Sequence, residues 1–147
     1  MTIDLRPATA ADAEAVWAWN AAPDVRAWSG AGEPIAWPTH VAWYAARLAR
    51  VGEPMWIVER DGAGVGVVRI DAAPARARLS IALAADARGQ GVGRAAIQAA
   101  LAAWQRPIAA EIFADNRRSR ACFEACGFRP IELRDRRAIY HWDPEQP

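Results

Sequence analysis

The sequence predicts an α/β domain built on a mixed, mostly antiparallel central sheet flanked by helices. Residues 55–59 and 65–70 are rich in β-branched side chains and flank Asp61-Gly62, a hairpin signal, and residues 78–83 return as a further antiparallel strand. A long alanine-rich helical pattern from Gly91 to Trp104 then separates this run from another strand at 108–114. A helix over 116–126 stops at Gly127, a suitable residue after a helix end, and 128–133 with 138–142 read as a closing hairpin.

The remaining elements lie in the first third. Residues 3–6 alternate apolar and polar, as a strand does. Thr9-Ala10-Ala11-Asp12 has capping-box spacing, and the helix it opens carries Ala13, Val16, Trp17 and Asn20 on one stripe. Residues 24–28 have the pattern of one or two further helical turns, before a glycine-containing loop over 29–34. Ala36-Trp37-Pro38-Thr39 starts the next helix, since proline is well accepted in a first turn. Val41, Tyr44, Ala45 and Leu48 are its expected buried stripe, which leaves Trp43, Arg47 and Arg50 off that face. Of the eight tryptophans, Trp17, Trp56 and Trp104 fit core positions, whereas Trp19, Trp28, Trp37 and Trp43 crowd around one loop. That crowd reads either as packing with a dimer surface or as an aromatic-walled acceptor pocket.

Bulk properties narrow the class. A length of 147 residues suits a single domain, 1–147, with one buried core, and 53% hydrophobic with 24% charged residues is a globular composition. No apolar run is long enough to cross a bilayer and no signal pattern opens the chain, so a cytoplasmic location is expected. A net charge of +1 gives no bulk attraction to nucleic acid or membrane, and neither is expected as a partner. All eighteen basic residues are arginine, which removes Walker-A, kinase and pyridoxal-lysine chemistries. No serine lies in a Gly-x-Ser-x-Gly elbow, and the two histidines and two cysteines make a poor metal-ligand set, so no metal is expected.

The stretch Arg88-Gly89-Gln90-Gly91-Val92-Gly93-Arg94 is the densest candidate site. Glycines at alternate positions permit a tight turn and close approach of a ligand to peptide N–H groups. A helix beginning inside the turn adds unpaired donors and a positive dipole end, which favour a phosphate or pyrophosphate. The alternative is an ordinary glycine-rich loop before a helix. A dinucleotide fingerprint fits poorly, because the loop follows an antiparallel run with several residues between Leu83 and Gly89.

Arg88-Gly89-Gln90-Gly91-Val92-Gly93 after a strand, with Asn116-Arg117-Arg118-Ser119 … Gly127-Phe128 beyond the next one, resembles the GNAT superfamily of acyl-CoA-dependent N-acyltransferases. The resemblance implies a GNAT fold with splayed strands holding acetyl-CoA, the acyl donor. It implies that residues 88–94 grip the pyrophosphate and that a backbone N–H near Leu83 polarises the thioester carbonyl. Asn116, Ser119 and Phe123 are implied along the pantetheine arm, with Leu83, Asn116 and Ser119 in catalytic roles. Phe123 stands where the family commonly has a proton-donating tyrosine, and a phenyl ring cannot donate. Ser119 and Cys122 are substitutes for that donor; Ser80, Glu111 or an ordered water are candidates for the base.

Trp19-Asn20 … Pro23-Asp24-Val25-Arg26-Ala27-Trp28-Ser29, then Glu33-Pro34-Ile35 … His40, further resembles the GNAT enzymes of pseudaminic-acid-type pathways. That likeness implies a nucleotide-linked amino sugar as acceptor, lined by Asn20, Arg26, Trp28 and His40. From the residues alone, Asn20 reads first as a helix end and His40 as a structural histidine near a helix start, with ligand contact the lesser alternative for each. A peptide N-terminus, another small amine, or a CoA-binding module without catalysis are the alternatives. A monomer or homodimer is expected.

Overall fold

The hairpin at Asp61-Gly62 forms because both residues take the positive φ that a tight two-residue turn needs, 51° and 85°. A computed structural model describes residues 1–21 and 34–145. Its strands are β1 (Ile3–Pro7), β2 (Met55–Arg60), β3 (Ala63–Asp71), β4 (Ala77–Leu83), β5 (Ile108–Phe113), β6 (Arg129–Arg134) and β7 (Arg137–Trp142). Its helices are α1 (Ala13–Ala21), α2 (Trp37–Leu48), α3 (Val92–Trp104) and α4 (Arg117–Ala125). Among the described residues the strands form one seven-stranded sheet in the order β1-β2-β3-β4-β5-β7-β6. All neighbours are antiparallel except β4 and β5, which are parallel. The mixed sheet and the boundaries read for the described elements therefore hold to within a residue or two, whereas the helical turns expected over 24–28 lie outside the described residues.

Strand alternation divides the apolar side chains between the two faces. Val58, Val68, Ile70, Leu79, Ile108, Ile112 and Tyr140 meet Ala96, Ile97, Ala100 and Leu101 of α3 and Phe123 of α4 in the main core. Met55, Ile57, Val67 and Ala82 point to the other face and pack with Val16 of α1 and Tyr44 of α2. Val58 pairs with Gly66 and Glu59 with Gly64, so Val65 is an extra residue in β3 and turns into the main core. Gly66 is required here: a Cβ would stand 2.6 Å from the Ala82 carbonyl oxygen of β4.

The face of α2 differs from the sequence expectation. His40, Tyr44 and Arg47 are buried, whereas Val41 is 41% exposed and Ala45 is exposed. The rotation follows from hydrogen bonding rather than hydropathy. Arg47 is 1% exposed and donates to the Asp71 carboxylate at 2.8 Å and to the carbonyls of Glu53, Pro54 and Ile70. One guanidinium thus satisfies the chain ends of β2 and β3 together, which an aliphatic residue cannot do. His40 is likewise committed inside, with Nε2 2.7 Å from the Ala13 carbonyl oxygen and its ring stacked on Tyr44.

At the start of the chain the capping box is present. Asp12 accepts from the Thr9 amide at 2.8 Å and from two nitrogens of Arg6 at 2.9 and 2.8 Å. The Arg6 bonds hold its carboxyl down at about 2, against an ordinary 3.8.

Replacing Arg47 by Met should cost about 3 kcal/mol or more in urea unfolding, because it strands buried acceptors. Arg50→Ala, at a half-exposed partner of Asp71, should cost less than about 1 kcal/mol. Asp12 is ionised in the fold below its ordinary range, so its contribution to stability is present above pH 3.8 and is lost as pH falls towards 2. Asp12→Asn should flatten that acid limb in unfolding measured between those values.

Candidate active site

β4 and β5 pair only at Ala77 with Ile108 and Arg78 with Ala109. Beyond that point the two parallel strands part. Antiparallel ladders alternate bonded and non-bonded pairs, and this fixes where the freed amides point. The Ala84 amide donates to the Val65 carbonyl at 2.7 Å, so the next pair, Leu83 with Gly66, is a non-bonded one. The main-chain groups of Leu83 and Ile81 therefore face away from β3, into the gap. The Leu83 carbonyl accepts from Arg88 Nη2 at 2.9 Å.

The glycine loop closes the same end of the gap. Gly89 and Gly91 have φ of 72° and 82°, and the space beside both is open. Gly91 precedes α3 in the left-handed region, which lets the chain enter the helix with its first amides outward. No side chain caps the helix there, and the first ladder bond runs from the Ala95 amide to the Gly91 carbonyl. The amides of Val92, Gly93 and Arg94 come before that first bond and present the donors of a helix start. Gln90 shapes the loop, donating to the Asp86 carbonyl and accepting from Arg60 of β2 at 2.7 Å. Burial pushes the Arg88 guanidinium down from its ordinary value, and Arg118 of α4 adds to this. Two cations brought together beside bare amides fit an anionic group such as a pyrophosphate. Arg118 lies in the second sequence motif, but its solvent-facing position gave no separate signal for this role.

α4 borders the gap from the other side. A Cβ on Gly93 would lie 3.4 Å from Cys122 Sγ and 3.5 Å from Leu83 Cδ1, so α3, α4 and the end of β4 meet at this point. The Asn116 side chain is spent partly on the helix itself, its Oδ1 accepting from the Ser119 amide at 3.3 Å. Its amide nitrogen takes no part in that cap. Phe123, expected along the cofactor arm, is 3% exposed and packs edge-to-face on Phe128 at 5.0 Å. It is a core residue, because the aromatic ring without a hydroxyl buries fully where a tyrosine would need a polar partner. The Cys122 thiol is pulled down, chiefly by the Cys126 thiol donating to it, and Cys126 is pushed up correspondingly.

The acceptor-side expectations divide. Asn20 is half-buried at the end of α1. His40 is 1% exposed with Nε2 2.7 Å from the Ala13 carbonyl oxygen, the environment of a structural histidine near a helix start. Arg26 and Trp28 lie outside the described residues. Of the base candidates, Glu111 of β5 is ion-paired with Arg78 of β4 at 2.8 Å, across the vertex of the gap. Ser80 sits opposite Arg69 of β3. Among the described residues no group of three or more His, Cys, Asp or Glu could hold a metal ion. No helix described is long and apolar enough to cross a membrane.

A sheet with one parted parallel pair, closed by a bare-amide helix start, is the arrangement that the resemblance to the GNAT superfamily led one to expect. The chain belongs to the acetyltransferase (GNAT) domain family, whose model matches residues 2–129. A comparison with curated protein sequences finds no match. Among solved structures, a domain from Methanocaldococcus jannaschii is similar with a TM-score of 0.84 and 23% identity, covering 96% of this chain and 97% of that one. A spermidine N-acetyltransferase from Vibrio cholerae, in complex with CoA and spermine, gives 0.81 and 17%, covering 95% and 92%. An aminoglycoside acetyltransferase in complex with coenzyme A and kanamycin gives 0.79 and 17%, covering 95% and 93%. The chain thus carries an acetyltransferase (GNAT) domain, and the solved structures share its fold.

Gly91→Glu should abolish CoA binding in calorimetry, since it sets a carboxylate against the pyrophosphate. Any side chain at φ 82° also strains the backbone, at about 1–2 kcal/mol, so Gly91→Ala is the matched control. Affinity should fall at least about tenfold further in the Glu variant than in the Ala variant.

Proposed function

We propose that the chain transfers the acetyl group of acetyl-CoA to the primary amine of a small molecule, in the gap between β4 and β5. The observation that carries this reading is the loss of pairing after Arg78 and Ala109, with the Leu83 main chain turned into the gap. Acetyl-CoA supplies an activated acyl group; the chain supplies position and electrostatics. The amides of Val92, Gly93 and Arg94, with Arg88 and Arg118, hold the pyrophosphate. The Leu83 N–H meets negative charge developing on the carbonyl oxygen, as a single-donor oxyanion site. Asn116 and Ser119 steady the pantetheine arm. The amine arrives deprotonated from the face carrying α1 and α2, so that holding it in line is most of the catalysis.

Phe123 offers no proton to the departing thiolate. A model thiol titrates at about 8.5, so a CoA thiolate leaves with water as its proton source. The nucleotide-linked amino sugar suggested by the Trp19-Asn20 to His40 likeness is the acceptor tried first, although His40 no longer supports it. The second reading, a CoA-binding module without turnover, is favoured by the burial of Phe123 alone.

Thiol release from acetyl-CoA, followed with amino-sugar nucleotides, small amines and peptides, should show turnover on a small-molecule amine. CoA binding with no release on any amine would leave the binding module. Phe123→Tyr should leave kcat within about threefold of the parent; a rise of about tenfold or more would mean that proton donation limits the reaction.

A further inference from the structure

We infer that the acceptor amine carries an anionic group, a carboxylate or phosphate-type oxyanion, and that Arg137 is the residue that selects it. This deepens the proposed acetyl transfer and rests on it. Ala77 pairs with Ile108 and Arg78 with Ala109, so continuing the parallel count puts Leu83 level with the end of β5, at Phe113 and Ala114. Phe113 is the cross-strand partner of Arg137 on β7, and the Arg137 guanidinium lies over the Phe113 ring, 5.2 Å from its centroid. Alternation sets Phe113, Glu111 and Arg137 on the face opposite the main core, whereas Ala110, Ile112 and Ala138 point into that core. This is the face on which α1 and α2 pack, and hence the acceptor side. By this count Arg137 lies one strand beyond the gap, level with the end of β4, on the face that carries α1 and α2.

The charges on this face are unequal. Glu111 is neutralised by Arg78. Asp71 is shared by Arg69, the buried Arg47 and Arg50. Arg137 has no carboxylate partner among the described residues and lies over a ring face, so its charge is not neutralised by the side chains around it. A polycationic acceptor would meet this surplus and would find Glu111 already occupied by Arg78. An amine with an oxyanion at its far end would bind Arg137 in a charge-assisted, bidentate pair while its nitrogen reaches the thioester.

The test compares acceptors matched except for the anion: 4-aminobutanoate with butylamine and 2-aminoethylphosphonate with ethylamine, with spermidine as the polycation. Thiol release should give kcat/KM at least about tenfold higher for the anionic member of each pair, the gain lying mainly in KM. Arg137→Gln should erase that preference with CoA affinity unchanged by calorimetry, and Arg137→Lys should restore part of it. Equal or better turnover of butylamine, ethylamine or spermidine would overturn the inference, as would a preference that survives Arg137→Gln. Failure of CoA binding, or of thiol release with every amine, would instead sink the acetyl-transfer reading beneath it.

Discussion

The parting of two parallel strands after a pair of bridged residues is the constraint from which the rest follows. A buried sheet ordinarily satisfies its main-chain donors within the ladder, because an unpaired amide away from water is costly. Here β4 gives up its ladder on one side beyond Arg78, while its other side stays paired to β3 through Asp71 to Gly66. The open edge leaves those main-chain groups to a ligand or to solvent. Everything near it supports that opening. Gly66 lets β3 press close on Ala82, and α3 and α4 wall the gap at Gly93 and Cys122.

The two faces of the sheet have different duties. The face under α3 and α4 is an apolar, buried core. The opposite face mixes an apolar cluster around Val16 and Tyr44 with arginines and carboxylates. Arg47 ties that face to the ends of β2 and β3 by a single buried guanidinium. The chain's lysine-free basic set suits this use, since a planar fork serves several carbonyls and a carboxylate at once.

Much of this was legible in the sequence because it depends on local rules. Asp61-Gly62 specified its turn, the glycine-rich stretch marked the start of α3, and apolar period placed Ile97, Ala100 and Leu101 inside. What was not legible depends on distant partners. Hydropathy assigned Val41 and Ala45 to the buried side of α2, and nothing near Arg47 announces that carbonyls some distance along the chain will need it. His40 read as a structural histidine, but its partner, the Ala13 carbonyl, belongs to another helix and could not be named from the sequence. Phe123 carried a family position into a place where only its ring is used. The reach of Arg137 over Phe113 follows from strand order, which puts β7 beside β5.

The most direct measurement is amide hydrogen exchange, residue by residue, with and without acetyl-CoA. The account requires slower exchange at Leu83 and at Val92, Gly93 and Arg94 when acetyl-CoA is added, with the paired amides of β2 and β3 little changed. Saturation by acetyl-CoA with exchange at those four amides unaltered would contradict it.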